Sequence, residues 1–163
     1  MDTLQKRIID LLNEDCRIPL EKMAVMLDAD ARDIGGAIDT LERDGVLLCY
    51  RPVVNWDKTD RNLVEAMIEV KVTPQRDFGF DAVAKRINSF EAVRSVYLMS
   101  GSYDLLVQVA APTLKELAQF VSERLSPLET VTGTSTSFVL KRYKQDGVVF
   151  DAPESDRRLA VSP

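Results

Sequence analysis

The fold of the N-terminal third is decided by residues 19–45, which read PLEKMAVMLDADARDIGGAIDTLERDG. Pro19 suits the start of one helix, and Asp30 is a suitable N-cap for a second helix, which Gly45 ends. Because only Asp28-Ala29 separates them, the two helices predict a helix-turn-helix. Apolar residues at helical spacing mark one face of each helix: Leu20, Met23, Ala24 and Leu27, then Ile34, Ala37, Ile38 and Leu41.

A further helix precedes this pair, and a wing is predicted to follow it. Residues 4–14 place four apolar side chains at helical spacing, so the helix between Asp30 and Gly45 becomes the third, the one that enters the DNA major groove. After Gly45 we expect a strand at 46–50 and a return strand at 51–54, with Pro52 at a sheet edge. Residues 1–54 are thus predicted to be a winged helix-turn-helix domain. Another kind of small helical bundle is the alternative.

The hydrophobic period changes after residues 55–63, a mostly polar stretch that we predict to be a linker. Val64–Val72 alternates apolar and polar residues, which predicts a strand with one buried face that Pro74 stops. Patterns of a helix, two strands, a helix and a strand then follow, at residues 80–87, 93–99, 105–110, 113–125 and 131–143.

Residues 64–143 are therefore predicted to form a ferredoxin-like βαββαβ domain, with one sheet face left for solvent or a partner. The fold class is α+β, an N-terminal winged helix-turn-helix plus this domain. Residues 144–163 are predicted to be a C-terminal tail with a short strand at 148–150.

Composition excludes several classes of protein. The 163 residues are 45% hydrophobic and 29% charged, as in globular proteins, and no apolar run approaches the roughly 20 residues of a membrane span. We expect a cytoplasmic protein with no membrane partner. Cys16 and Cys49 have no Cys-x-x-Cys spacing and are interpreted as small core residues. The chain has no histidine, so we expect no catalytic residues, no metal and no cofactor.

The order and spacing of these motifs resemble the Lrp/AsnC family of leucine- and asparagine-responsive regulators, from Leu4 to about Lys144. The resembling stretches are Ile8-Ile9-Asp10-Leu11-Leu12, Leu41-Glu42-Arg43-Asp44-Gly45-Val46, Val93-Arg94-Ser95-Val96-Tyr97 and Gly101-Ser102-Tyr103-Asp104, with Val131, Thr136, Val139 and Leu140. The resemblance implies a prokaryotic transcription regulator that binds double-stranded DNA. It also implies homodimers built through the sheets, further assembly into octamers, and small amino acids as effectors at subunit interfaces.

The resemblance places the effector near the turn formed by Gly101, Ser102, Tyr103 and Asp104. A glycine permits the tight turn, its backbone N–H groups can receive an α-carboxylate, and Asp104 can hold an ammonium group. Hydroxyls of the last strand and an apolar side chain are predicted to complete the site, namely Thr134, Thr136 and Met99. The alternative is a plain hairpin turn in which Asp104 accepts hydrogen bonds from backbone donors.

The charge of the predicted DNA-binding module has the wrong sign for bulk attraction to DNA. The chain carries −5 overall, and residues 1–54 hold 7 basic against 11 acidic side chains. The outward face of the third helix is mixed, and Gly35-Gly36 weakens that helix by about 1 kcal/mol per glycine. We predict phosphate contacts from Arg17, Lys22 and Arg51, with base-proximal positions at Arg32, Asp33, Gly36, Thr40 and Arg43, beside Asp39.

Three hypotheses about function follow from the sequence. In the first, a few positioned contacts suffice for DNA binding and oligomerisation multiplies weak half-site binding. In the second, DNA binding is lost, and the N-terminal module serves dimerisation or a protein partner while the C-terminal domain senses a ligand. In the third, the chain is an enzyme resembling siroheme decarboxylases, which share the two-domain shape. Because their chemistry is associated with histidine and arginine around a tetrapyrrole, the absence of histidine argues against it.

Overall fold

The computed structural model describes residues 1–73 and 79–150, and the chain divides into two units, Met1–Val53 and Val54–Pro163. Pro74, predicted to stop a strand, and residues 151–163 of the predicted tail lie outside the described residues. Within the described ranges, no helix is both long and apolar enough to cross a membrane. Each unit has its own hydrophobic core.

The first unit consists of three helices, α1 (Thr3–Glu14), α2 (Leu20–Leu27) and α3 (Ala31–Arg43). The N-caps explain where the helices begin, since Asp2 accepts from the Gln5 N–H at 2.7 Å and Asp30 from the Arg32 N–H at 2.7 Å. The apolar stripes meet in one core, and the predicted helix-turn-helix is confirmed. The fully packed residues are Ile8, Leu12, Met23, Leu27, Ile34 and Leu41.

The corner between α2 and α3 is tight because Asp28 adopts a left-handed conformation, with a φ of 50°. Arg7 of α1 secures the same corner, since its Nη2 donates to the carbonyl oxygen of Met26 at 3.2 Å. A cation at a helix C-terminus also compensates the negative end of the helix dipole. This arginine therefore serves the packing of the unit.

The predicted strand at 46–50 and its return at 51–54 are wrong, since the structure has irregular backbone there. The N–H groups of Val46 and Leu47 both donate to the carbonyl oxygen of Leu41, so the chain leaves α3 in a turn. Beyond it Leu48 is 84% exposed, and no other segment of the described chain pairs with this one. The interpretation of Cys49 as a core residue is also wrong, because its side chain is exposed.

The second unit begins with a 3₁₀ turn at Trp56–Lys58, within the stretch predicted to be a linker. Its main sheet has the order β2-β3-β1-β4, and every neighbouring pair is antiparallel. This is the predicted ferredoxin-like arrangement, which is confirmed. The elements are β1 (Val64–Val72), α4 (Asp81–Asn88), β2 (Val93–Leu98), β3 (Leu105–Ala111), α5 (Leu114–Phe120) and β4 (Val131–Phe138).

Two details differ from the prediction. The helix α5 continues as a π-helical turn at Val121–Leu125, and β4 ends at Phe138 instead of residue 143. The chain then forms a small hairpin of β5 (Lys144–Gln145) and β6 (Val148–Val149). Asp146 and Gly147 have positive φ angles of 47° and 83°, which is the backbone of a tight two-residue hairpin turn.

The sheet of the second unit has a buried face and an open face. On β1, Ala66, Ile68 and Val70 are fully buried in a core that contains residues of α4, α5 and the π-helical turn. Because side chains alternate along a strand, the intervening residues of β1 lie on the opposite side, which we call the open face. The open-face residues of β1 are Glu65, Met67, Glu69 and Lys71.

Candidate functional site

The exposed face of α3 brings together the predicted DNA-proximal residues. Helical residues are spaced by about 100°, so these side chains form one arc opposite the buried Ile34 and Leu41, with Gly36 near its centre. All are exposed except the half-buried Thr40. The six positions of the arc are Arg32, Asp33, Gly36, Asp39, Thr40 and Arg43.

Few charges on this arc are available to attract phosphate. The Nε of Arg43 lies 3.6 Å from the carboxylate of Asp44, in a largely exposed pair that contributes little to stability. The hydroxyl of Thr40 donates to the carbonyl oxygen of Gly36 at 2.9 Å. Its proton is therefore not available for a hydrogen bond to a phosphate. The arc is therefore nearly neutral.

The three predicted phosphate contacts lie off this helix. Arg17 is in the turn before α2, Lys22 is on α2, and Arg51 is in the irregular segment after α3. All three side chains are exposed within the first unit. These three basic side chains are therefore accessible, but none of them lies on the exposed arc of α3.

Packing does not require a glycine at either of the two glycine positions of α3. A Cβ atom built on Gly35 or on Gly36 meets nothing within 4 Å, and neither residue has a positive φ. Gly36 is exposed and Gly35 is half-buried. The backbone of α3 at Gly36 is therefore open to close approach by another molecule.

Tyr50 holds the irregular segment against α3. Its hydroxyl donates to Oε1 of Glu42 at 2.9 Å. Partial burial, together with the hydrogen bond and the negative charge of Glu42, raises the pKa of Tyr50 to about 12. The tyrosine is therefore neutral at physiological pH and remains a hydrogen-bond donor.

In the second unit, the predicted effector turn is closed by hydrogen bonds to Asp104. Its Oδ2 accepts the Val72 N–H at 2.8 Å, its own N–H donates to the Val70 carbonyl at 3.1 Å, and its carbonyl accepts the Met99 N–H at 2.8 Å. One carboxylate oxygen is therefore committed to holding the hairpin against β1. This geometry favours the hairpin-turn interpretation of Asp104.

A cavity of about 250 Å³ opens beside this turn. Of the residues predicted to bind the effector, Tyr103 and Thr134 line it. Met99, Gly101, Ser102, Asp104 and Thr136 are not among its lining residues. The full lining is Glu69, Lys71, Tyr103, Gly133, Thr134 and Ser135.

The strand register shows which face of the sheet carries the two predicted hydroxyls of β4. Thr134 and Thr136 are opposite Val70 and Ile68, so both side chains belong to the helix-covered face. The Thr134 hydroxyl lies 3.4 Å from that of Ser126, which follows the π-helical turn. Thr136 therefore does not face the cavity beside Tyr103, and its part in effector binding stays a prediction.

Sequence reasoning missed three polar lining residues, Glu69, Lys71 and Ser135. The alternation along β1 did identify Glu69 and Lys71 as open-face positions, but nothing in the pattern placed them beside Tyr103. Ser135 is opposite Glu69 in the register, so it shares their face. A prediction of the β1–β4 register would have found it.

Comparisons with known proteins agree with both units. A family model described as the Lrp/AsnC ligand binding domain matches residues 65–149. The HTH-type transcriptional regulator YugG of Bacillus subtilis is 44% identical over 160 residues, covering 98% of this chain and 96% of that protein. The HTH-type transcriptional regulator LrpA of Pyrococcus abyssi is 28% identical over 144 residues, covering 88% and 99% respectively.

Solved structures share the fold. The crystal structure of the transcriptional regulator NMB0573 from Neisseria meningitidis, a complex with L-methionine, superposes with a TM-score of 0.71 at 21% identity. The match covers 94% of this chain and 96% of that protein.

Proposed function

The chain belongs to the Lrp/AsnC family of helix-turn-helix transcription regulators, and on this basis we propose that it binds its operator through α3 under control of a small amino-acid-like effector. The proposal includes a homodimer that assembles further, up to an octamer, and acts on chromosomal DNA in the cytoplasm. The relatives are transcription regulators and not enzymes, so the enzymatic hypothesis is dropped.

The observation that carries the DNA-binding proposal is the exposed arc of α3, with a glycine at its centre. A helix can approach base edges most closely where no side chain intervenes, and a Cβ at Gly36 has no neighbour within 4 Å. Specificity would then come from a small number of contacts near Arg32 and Arg43. Assembly would multiply the weak binding of each half-site.

The near-neutral arc also favours a second candidate, in which the first unit has lost DNA binding and serves dimerisation or a protein partner. The two hypotheses differ in their salt dependence. A module that neutralises phosphates releases counterions, so the logarithm of its affinity falls with the logarithm of salt concentration. A module without DNA contacts shows no protected site at any salt concentration.

Footprinting on the promoter region beside its own gene, over a salt series, tests the proposal. We expect a protected site at low salt and a shallow slope, because few cations surround α3. Replacing Asp33 and Asp39 by lysine should tighten non-specific binding and steepen the slope, since both side chains lie on the arc.

A matched control makes the same charge change elsewhere in the first unit. Asp10→Lys with Glu14→Lys alters exposed residues of α1 and should have a smaller effect on affinity. Equal effects from the two pairs would mean that α3 has no special position toward DNA. An absence of protection in wild type and both variants would favour the second candidate.

The effector proposal is supported by the cavity beside Tyr103 and by the L-methionine complex of the fold relative NMB0573. A cavity of about 250 Å³ has room for one amino acid. A thermal-shift panel of the twenty standard amino acids tests this, because a ligand that binds only the folded state raises its stability. If none of the twenty raises the melting temperature, the amino-acid effector is refuted.

A further inference from the structure

The centre of the exposed arc of α3 is a narrow stripe that includes Asp39. Successive residues of an α-helix are turned by about 100°, so four of the six arc positions fall within about 60° of one another. They are Arg32, Gly36, Asp39 and Arg43, all exposed and opposite the buried face of the helix. A DNA duplex that covers the arc therefore meets Asp39 as well as the two arginines.

The carboxylate of Asp39 forms no hydrogen bond or ion pair within the described residues. Arg43 follows it by four residues, which is the spacing of helical ion pairs, but the guanidinium group has other partners. Its Nε lies 3.6 Å from the carboxylate of Asp44, and its Nη2 donates to the Thr40 hydroxyl at 3.4 Å. Asp39 therefore carries an unpaired negative charge at the centre of the surface that is proposed to face DNA.

A carboxylate in the major groove is unfavourable beside most parts of a duplex. Phosphate groups repel it, and so do the acceptors that guanine and thymine present there. Only the amino groups of cytosine and adenine can donate to it. Adenine also presents the N7 acceptor beside its amino group, which repels the second carboxylate oxygen, whereas cytosine presents the N4 donor alone. Cytosine is therefore the base that an aspartate at this position favours.

We propose that Asp39 determines base specificity at one position of the operator half-site, where its carboxylate accepts a hydrogen bond from the N4 amino group of cytosine. The inference rests on the proposed DNA-binding function and adds to it a residue that reads sequence. It also explains why an acidic side chain occupies the centre of a surface that approaches phosphates.

The glycine on the same stripe makes this contact reachable. An aspartate side chain is short, so it reaches a base edge only where the helix backbone comes close. Gly36 precedes Asp39 by three residues, about one turn of helix, and a Cβ built on it meets nothing within 4 Å. The close approach that the glycine permits can therefore bring the carboxylate within hydrogen-bonding distance of a base.

Selection of binding sites from a library of random DNA duplexes, using the full chain, tests the inference when every single-base variant of the selected site is then titrated. We expect wild type to prefer cytosine at one position of the half-site by roughly 10-fold. Asp39→Ala should lose this preference and bind random duplexes more tightly, because it removes a charge that phosphates repel. Asp39→Asn should exchange the preference for adenine, because an amide can pair with both N6 and N7 of that base.

A modified operator isolates the proposed hydrogen bond. A 2-pyrimidinone base in place of the cytosine keeps the ring and lacks the N4 amino group. It should weaken binding by wild type roughly 10-fold relative to its effect on Asp39→Ala, since the two changes remove the same contact. Any effect of the analogue on the duplex itself acts on both proteins equally.

Matched controls remove one exposed aspartate elsewhere in the first unit. Asp33→Ala changes α3 about 120° around the helix from Asp39, and Asp10→Ala changes α1. Both should leave the preference at the cytosine position unchanged. All three alanine variants should remain folded, because the side chains are exposed and alanine has the highest helix propensity. Melting temperatures check this.

The opposite results overturn the inference. If Asp39→Ala binds every duplex more tightly and keeps the base preferences of wild type, Asp39 only repels DNA, although the DNA-binding function stands. The same conclusion follows if the preference that this variant loses is for a base other than cytosine, or if Asp33→Ala loses the cytosine preference instead. If wild type selects no duplex, both the inference and the DNA-binding function fail.

Discussion

A substitution at Gly36 should change the stability of α3 and its affinity for DNA in opposite directions, so the two effects can be measured separately. The residue is in the interior of a helix of 13 residues, and an added Cβ meets nothing within 4 Å. Gly36→Ala should therefore gain the full difference in helix propensity, about 1 kcal/mol, with no steric cost to offset it. For a unit of this size we expect a rise in melting temperature of about 5 °C.

The same methyl group should weaken DNA binding if α3 lies in the major groove. It projects from the centre of the exposed arc, so it would enter the space between helix backbone and base edges. Overpacking a close contact costs about 1–2 kcal/mol, which corresponds to a roughly tenfold loss of affinity. Gly36→Ala is thus predicted to be more stable and a weaker DNA binder.

Gly35→Ala is the matched control, because it makes the same change one residue earlier, about 100° around the helix. Its Cβ also meets nothing within 4 Å, so the gain in stability should be equal. Calorimetric unfolding and gel-shift titration at fixed salt measure the two quantities. If Gly36→Ala binds DNA as tightly as Gly35→Ala, the backbone at Gly36 is not close to DNA and the proposed docking of α3 is refuted.

Two further predictions concern hydrogen bonds. Asp104→Ala removes the acceptor of the Val72 N–H and should lower the free energy of unfolding by about 1–3 kcal/mol in denaturant titrations; no loss would exclude a structural role. Tyr50→Phe removes the hydrogen bond to Glu42 and should lower the stability of the first unit at neutral pH, and this difference from wild type should disappear in alkali. Because folding raises the pKa of Tyr50 from 10.0 to about 12, its contribution is complete below pH 10 and is lost as pH rises to about 12. Wild type should therefore lose more stability than Tyr50→Phe over that interval, and parallel losses would contradict this.

The helices of the first unit could be predicted because their apolar residues and caps are local signals. Ile8, Met23 and Ile34 are spaced as helical core residues, and Asp30 caps α3 as its position suggested. The wing could not be predicted in this way. Residues 46–50 have strand-like composition, but a strand requires a hydrogen-bonding neighbour, and the described chain provides none.

The candidate cavity was only partly predictable, because a sheet site depends on register as well as on composition. Tyr103 was found through the turn in which it lies. Which face of the sheet carries Thr136 could not be predicted, since a shift of one residue in register exchanges the two faces of a strand. The role of Asp104 depended on Val72, which is remote in sequence and becomes its neighbour only when β1 and the turn come together.

The central position of β1 has a consequence for how the chain folds as it leaves the ribosome. The core of the first unit is complete once Leu41 has been made, and its contacts are local. The strand β1, by contrast, needs β3 on one side and β4, which ends at Phe138, on the other. Long-range pairing of this kind is slow and exposes apolar strand surface until it is finished. The helical module can therefore fold early in synthesis, whereas the sheet must wait for nearly the whole chain, and aggregation during synthesis should arise from the second unit.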